Sequence, residues 1–168
     1  MMSSTDADVT RNLIILNSTE KNIPNAVFSI FAREGRLPEP EEVLMCDENT
    51  RLEDALLLFR RWRKAKLYQR VSRIYVLAGI HRLGYTLQCS LVDALKQFLP
   101  ATDSSLMVIV GARIDKQRLA NAFSSYIFEG EVLLEPKELQ HAYKSVCSPG
   151  GYSGGIASVR SNICGGGK

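Results

Sequence analysis

The sequence lacks the patterns typical of a zinc site, a secreted protein or a membrane protein. Its four cysteines include no C-x-x-C pair, and neither histidine lies at ligand spacing from a cysteine, so no zinc site is expected. Met1–Thr10 is polar and acidic, without the apolar core of a secretory signal. The apolar run Leu106–Val110 is far shorter than the roughly 20 residues of a membrane-spanning helix. These absences predict a cytosolic chain with reduced thiols and no transmembrane segment.

The sequence also has little excess charge of either sign. Lys and Arg number 21 and Asp and Glu 18, which leaves a net charge of +3 and predicts no nucleic-acid partner. The densest basic run, Arg60–Lys66, contains Trp62 at a position that helical spacing assigns to a buried side. We therefore interpret the run as the solvated face of an amphipathic helix. A basic helix that binds nucleic acid is the weaker alternative.

What the chain does contain is a regular alternation of strands and helices. Its 168 residues, 45% of them hydrophobic, suit one domain with a real core. Strands are predicted at Leu13–Leu16, Val43–Cys46, Ile74–Ala78 and Leu106–Val110, and helices from Pro24, after Thr50, and over residues 87–99, 116–128 and 136–146. The pattern predicts an α/β fold whose mostly parallel sheet carries helices on both faces, with Leu106–Val110 as its central strand.

Two local signals concern helix starts and ligands. Thr50 and Glu53 have the spacing of a capping box. His81 follows a predicted strand, at the end where open α/β sheets place ligands. The sequence beside His81 offers no nucleophile and no paired carboxylate, so we interpret it as an ordinary loop residue.

The composition changes after residue 147. Seven of the 12 glycines lie in the final 19 residues. We therefore divide the chain into an α/β domain, residues 1–147, and a segment 148–168 that contains a glycine-rich loop, a predicted strand over residues 156–161 and the start of a phosphate-binding loop. This segment would begin an incomplete AAA+-like module, truncated within its P-loop. The alternative is a flexible glycine-rich tail.

The terminal G-G-G-K is the most informative motif. Glycines let successive backbone N–H groups curl around phosphates, and the lysine of such a loop reaches the β- and γ-phosphates. Gly165, Gly166 and Gly167 would therefore cradle phosphates and Lys168 would neutralise their charge. The chain departs from the strict G-x-x-x-x-G-K pattern at Asn162, where that pattern has glycine.

A longer ordered series of motifs resembles the mysterin family. In that family an E-V-L-x-C segment leads into a helix of the form E-x-x-x-x-F-x-R-R, and an R-I-Y-x-L-A segment follows. The matching parts of this chain are Glu42–Thr50 leading into Leu52–Arg61, Arg73–Ala78 with Leu83 and Tyr85 after it, the apolar strand Leu106–Val110, and the strand that enters the loop ending at Lys168.

The resemblance implies a fold and a function. Mysterins are giant AAA+ ATPases that carry a RING finger and act as E3 ubiquitin ligases. By this resemblance, the chain is a fragment that leads into one AAA+ module and ends inside its Walker A-like loop. The full-length protein would bind ATP and Mg²⁺, hold zinc in a RING outside this segment and work with ubiquitin-pathway proteins. The resemblance assigns no catalytic residue and no metal ligand within the chain, and the isolated fragment would be inactive.

The sequence is also compatible with a hypothesis from a different functional class. The chain could be a non-enzymatic α/β protein-interaction module with a flexible glycine-rich tail. Under that hypothesis, deletion of residues 148–168 would leave thermal stability unchanged. Under the mysterin hypothesis, the last predicted strand belongs to a sheet and its removal would lower thermal stability.

Overall fold

The fold is a parallel sheet with helices on both faces. The structure, a computed structural model, describes residues 12–65, 67, 73–99, 105–130 and 132–147. Its strands are β1 (Leu13–Asn17), β2 (Val43–Met45), β3 (Ile74–Ala78), β4 (Leu106–Gly111) and β5 (Ile127–Phe128). Its helices are α1 (Ile23–Arg33), α2 (Leu52–Lys64), α3 (Tyr85–Phe98), α4 (Arg118–Ala122) and α5 (Pro136–Cys147).

The strand order is β2-β3-β4-β1-β5, and every pairing is parallel. All six residues of β4 are buried, and β4 lies third of the five strands, as predicted for the most apolar run. Continuous burial is typical of strands in parallel sheets, since helices cover both of their faces. The predicted α/β fold class is therefore confirmed.

Successive side chains of a strand point to opposite faces of the sheet, so the chain forms two hydrophobic cores, one on each face. On β1, Ile14 and Leu16 pack with α1, whereas Leu13 and Ile15 pack with α2, α3 and α4 on the opposite face. Helix α5 leans against the outside of α1, where the rings of Phe28 and Tyr143 meet edge to face with centroids 5.8 Å apart. Helices thus cover both faces of the sheet, with α1 alone against the first.

Helix α2 keeps its basic residues outside the core. Trp62 is 2% exposed, and its indole N–H donates to the carbonyl oxygen of Ser105 at 3.0 Å. Arg63 lies over the ring of Phe98, 5.6 Å from its centroid. The interpretation of the basic run as the solvated face of an amphipathic helix agrees with this packing.

One predicted helix is wrong over part of its length. Residues 116–128 form only the short α4, flanked by 3₁₀ turns at Ile114–Lys116 and Ser124–Tyr126, and then β5. Ile127 pairs with Ile15 of β1. The open edge of β1 offers backbone hydrogen bonds to β5, and this tertiary pairing overrides the local helical spacing.

The predicted capping box is also wrong, by one residue. The carboxylate of Asp54 accepts the backbone N–H of Arg51 at 3.0 Å, so α2 begins with that pair. The Thr50 hydroxyl instead accepts the N–H of Asp47 at 2.8 Å and closes the preceding turn. A threonine can satisfy either kind of backbone donor, and sequence spacing does not tell which one it takes.

The predicted strand over residues 156–161 lies outside the described residues. The same holds for the glycine-rich segment 148–168 as a whole. The division of the chain at residue 147 stays a prediction.

A buried carboxylate fastens the amino edge of the sheet, where the strands begin. Glu42, 0% exposed, accepts hydrogen bonds from both terminal nitrogens of Arg36 (2.7 and 2.9 Å) and from Nη1 of Arg73 (3.0 Å). It also accepts the N–H of Glu39 at 3.0 Å, and its own carbonyl oxygen accepts the N–H of Val76 at 2.7 Å. One carboxylate therefore joins the connection after α1 to the starts of β2 and β3.

We predict that Glu42→Ala lowers the free energy of unfolding by about 2–3 kcal/mol, because two partly exposed guanidinium groups lose their charge-assisted hydrogen bonds, while Arg73 keeps its partner Glu39. Glu42→Gln keeps the volume and should cost less. Urea denaturation measures both. Glu41→Ala, at the exposed neighbouring position, is the matched control and should stay within about 0.5 kcal/mol of wild type. An equal loss at positions 41 and 42 would contradict this role.

Candidate functional site

The topology selects one place on the sheet for a ligand. The connection after β1 runs along one face through α1 to β2, whereas the connection after the neighbouring β4 runs along the other face through α4 to β5. Adjacent strands whose connections leave in opposite directions form a switch point, and open α/β sheets bind ligands at the carboxyl ends of such strands. The candidate site is therefore the carboxyl edge of the sheet beside β1 and β4.

The loop between β1 and α1, Ser18–Asn22, is the first element of this site. It contains no glycine. Ser18 donates its N–H to the carbonyl oxygen of Gly111 at 2.9 Å, and Asn22 donates its N–H to Thr19 at 2.9 Å. A phosphate cradle needs free successive N–H groups and close backbone approach. This loop uses the N–H groups of Ser18 and Asn22 in bonds to backbone carbonyls and carries a side chain at every position. It therefore lacks the close backbone approach of a glycine-rich phosphate loop.

A cavity of about 270 Å³ adjoins this loop. It lies at the N-terminal end of α1, between the loop and the segment that follows β5. Its lining residues are Leu16, Asn17, Ser18, Thr19, Asn22, Ala26, Glu129, Gly130, Val132 and Leu133. The carboxylate of Glu129 opposes the attraction that the α1 N-terminus would exert on an anion. The cavity suits uncharged polar groups better than phosphates.

The segment on the far side of the cavity is fastened to α1. Arg33 donates from Nε and Nη2 to the carbonyl oxygen of Val132, at 3.3 and 3.1 Å. The hydroxyl of Ser29 accepts the N–H of Leu134 at 3.0 Å and donates to the carbonyl oxygen of Asn25 at 2.6 Å. These bonds hold the cavity wall against a helix, so the cavity is a defined feature of the fold.

His81 joins three loops at the carboxyl edge. Its Nδ1 accepts the backbone N–H of Ala112, just after β4, at 3.3 Å. Its Nε2 lies 3.1 Å from Oε1 of Glu20 in the loop after β1. The side chain of His81 is 3% exposed and that of Glu20 is 55% exposed. The imidazole thus bridges the loops after β1, β3 and β4.

A second amide network holds the His81 loop in position. The side-chain nitrogen of Gln88, in α3, lies within hydrogen-bond distance of three acceptors, which share its two hydrogens: the carbonyl oxygens of Ile80 (3.1 Å) and Leu83 (3.2 Å) and Oε1 of Gln117 (2.8 Å). Its oxygen accepts the N–H of Leu119 at 3.2 Å. Gln88 is 3% exposed, and a buried amide with its partners in place specifies one arrangement of the loops it joins.

Burial lowers the pKa of His81 below its ordinary value. The carboxylate of Glu20 acts in the opposite direction, and the positive charges of Arg82 and Arg113 lower this pKa further. A neutral imidazole agrees with the hydrogen bonds, since an Nδ1 that accepts from Ala112 carries no hydrogen. The hydrogen therefore lies on Nε2, facing Glu20.

The comparisons with known proteins decide the family. Residues 11–128, well over half of the chain, match the family described as the RNF213 AAA domain. The chain belongs to this family. The resemblance to mysterins is confirmed, and the chain is an AAA+ ATPase-related region. No curated protein matches the chain.

AAA domains as a class bind nucleotides, and the RNF213 AAA domain match covers the sheet and the carboxyl edge described above. The sequence-predicted phosphate-binding residues, Gly165, Gly166, Gly167 and Lys168, lie outside the described residues together with Asn162. Their assignment as phosphate-binding residues therefore stays a prediction.

Sequence reasoning missed the carboxylate beside His81. Glu20 and His81 are 61 positions apart in the sequence, and only the parallel order of β1, β4 and β3 brings their loops together. His81 lies in the turn after β3, as expected for a loop residue, and the loop after β1 adds a carboxylate contact that the neighbouring sequence does not contain. The available signal was positional, because both residues follow apolar strands and such ends meet at one edge.

The other chemistry-bearing groups add little to this site. Burial, with a smaller effect of Asp47, raises the pKa of the Cys46 thiol to about 12, which makes it unreactive. Within residues 12–147 as described, no cluster of three His, Cys, Asp or Glu residues could hold a metal ion. None of the helices in the same part of the chain is long and apolar enough to span a bilayer.

We predict that acid destabilises this domain through His81. The folded pKa is below the unfolded value of about 6.5, so this contribution to stability is complete above pH 6.5 and declines as the pH falls toward the folded pKa. One proton limits the slope to about 1.4 kcal/mol per pH unit. His81→Asn keeps an acceptor near Nδ1 without titrating, and should flatten the dependence between pH 7.5 and 5.5.

Urea denaturation across this pH range measures the effect. His141→Asn is the matched control, since His141 is exposed on α5. It should keep the wild-type dependence. Identical pH profiles for wild type and His81→Asn would refute the role of His81.

Proposed function

We propose that this chain is part of a mysterin-like AAA+ ATPase and E3 ubiquitin ligase, and that the AAA unit described above serves as a structural, non-hydrolysing unit of it. The β1–α1 loop supports the second part of this proposal, the structural and non-hydrolysing role. It lacks glycine, its N–H groups at Ser18 and Asn22 are already bonded, and it places Glu20 where a phosphate-binding loop has no carboxylate.

The nucleotide-binding residues we assign are Gly165, Gly166, Gly167 and Lys168. The support is chemical: three glycines followed by a lysine supply the free N–H groups and the ammonium that phosphates require. In this proposal Mg²⁺ accompanies the nucleotide, and the RING that holds zinc and transfers ubiquitin belongs to other parts of the protein. The present chain contributes positioning and no catalytic side chain.

The closed β1–α1 loop equally favours the alternative of a non-enzymatic protein-interaction module. Such a module would use its surface and would bind no nucleotide anywhere in the chain. The two proposals differ on one residue, Lys168, since only the first gives it a phosphate partner.

We predict that a chain extended beyond Lys168 in its natural reading frame binds ATP, and that Lys168→Ala weakens this binding at least tenfold, because the ammonium no longer offsets the phosphate charge. Fluorescence anisotropy of a labelled ATP analogue gives the affinities. Lys21→Ala removes an exposed lysine from the β1–α1 loop and should leave them unchanged.

The controls separate the outcomes. Equal affinity with and without the Lys168 side chain would remove the assignment of Lys168, and the absence of any ATP binding would leave the interaction module. Loss of binding in Lys21→Ala alone would show that the β1–α1 loop holds the phosphates, against our structural argument.

A further inference from the structure

Helix α2 carries a row of exposed side chains on the side that faces away from the sheet. Glu53, Leu57, Arg60 and Lys64 recur every three or four residues, so they follow one another along one face of the helix. All four are exposed, whereas the opposite side of α2 carries Trp62 and the other residues that it buries. We call the four exposed residues the α2 stripe.

The middle of the α2 stripe is apolar. Leu57 is 46% exposed and belongs to neither hydrophobic core. Single exposed leucines are common on protein surfaces, so Leu57 alone does not indicate a partner. Its position does, because it lies between a carboxylate at one end of the stripe and two cations at the other.

The charges of the α2 stripe are separated along the helix and have no partners. Within the described part of the chain, Glu53, Arg60 and Lys64 form no ion pair. The neighbouring Arg61 is occupied, since its Nη1 donates to the carbonyl oxygen of Glu41 at 3.4 Å. The helix dipole favours this order of charges, but it leaves Arg60 and Lys64, four residues apart, repelling each other. An acidic group from outside the chain would relieve that repulsion.

We propose that the α2 stripe is an interface for a second copy of this chain, with the two α2 helices antiparallel across a two-fold axis beside Leu57. A two-fold interface uses the same patch on both copies, so the patch must be complementary to itself. Antiparallel alignment centred on Leu57 brings the two leucines together. It also places Glu53 of each copy opposite the segment 60–64 of the other, because residues 53 and 61 are equally far from Leu57.

The length of α2 limits the strength of this dimer. Its 13 residues span roughly 20 Å. One face of such a helix buries less than the roughly 800 Å² per partner of a standard interface, so the dimer is weak and reversible. Its ion pairs lie at the rim, so added salt weakens it. The interface uses none of the residues assigned to nucleotide binding and goes beyond the proposed function.

Sedimentation equilibrium of the full chain measures the dimer dissociation constant. We expect wild type to dimerise with a Kd below about 1 mM at low salt. Glu53→Arg should raise this Kd at least tenfold, because the two-fold axis repeats the change on both sides and places like charges together. The double variant Arg60→Glu with Lys64→Glu should raise it by a similar factor for the same reason.

A mixture of the two charge variants gives the decisive measurement. In the mixed dimer, position 53 of each copy again faces opposite charges at positions 60 and 64 of the other. We therefore expect the mixture to dimerise with about the wild-type affinity, although neither variant does so alone. Leu57→Ala should weaken the wild-type dimer without changing any charge.

The matched control is Asp93→Arg, which makes the same change of charge at an exposed position of α3 and should dimerise as wild type does. Thermal unfolding verifies that each variant is folded. Wild type that stays monomeric up to about 1 mM would overturn the proposal and leave the α2 stripe to a partner of another kind. Wild-type affinity in Glu53→Arg, or no recovery in the mixture, would overturn it as well.

Discussion

The parallel direction of all five strands is the constraint on which this structure depends. Because the strands run the same way, every strand ends at the same edge of the sheet. The position of β1 between β4 and β5 makes its connection leave in the opposite direction to the others. Right-handed crossovers then send α1 to one face and α2, α3 and α4 to the other. The loops after β1, β3 and β4 meet as a consequence.

The two edges of the sheet are held together by different chemistry. At the amino edge, buried Glu42 joins two arginines with short, charge-assisted hydrogen bonds. At the carboxyl edge, the corresponding contact pairs a neutral imidazole with the half-exposed Glu20. Loss of a partner at the first edge leaves a buried charge, whereas Glu20 can exchange its contact for water. Local opening should therefore begin at the carboxyl edge, which is where binding sites need mobility.

The sequence predicted the layers of this fold better than its polar contacts. A short apolar run such as Leu106–Val110 indicates a strand that is buried on both faces. The alternation of such runs with amphipathic helices predicted the parallel direction, and the most apolar run predicted the central strand β4. The pairing of Ile127 with Ile15 was not predicted, because a two-residue edge strand has no periodicity of its own. Hydrogen bonds of Thr50 and the Glu20–His81 contact depend on distances of a few tenths of an ångström that spacing does not encode.

The motifs that carry the family resemblance and the glycine-rich segment lie in different parts of the chain. Glycines are concentrated in residues 150–168, whereas the motifs from Glu42 to Val110 lie inside the family match over residues 11–128. Within the matched region, the loop after β1 gives up the backbone freedom that phosphate binding requires and gains a fixed path, bonded to Gly111. A loop with a side chain at every position offers an anion less backbone than a glycine-rich loop does. The neighbouring loops place side chains at this edge, and His81 joins them through its hydrogen bond from Ala112 after β4 and its contact with Glu20 after β1.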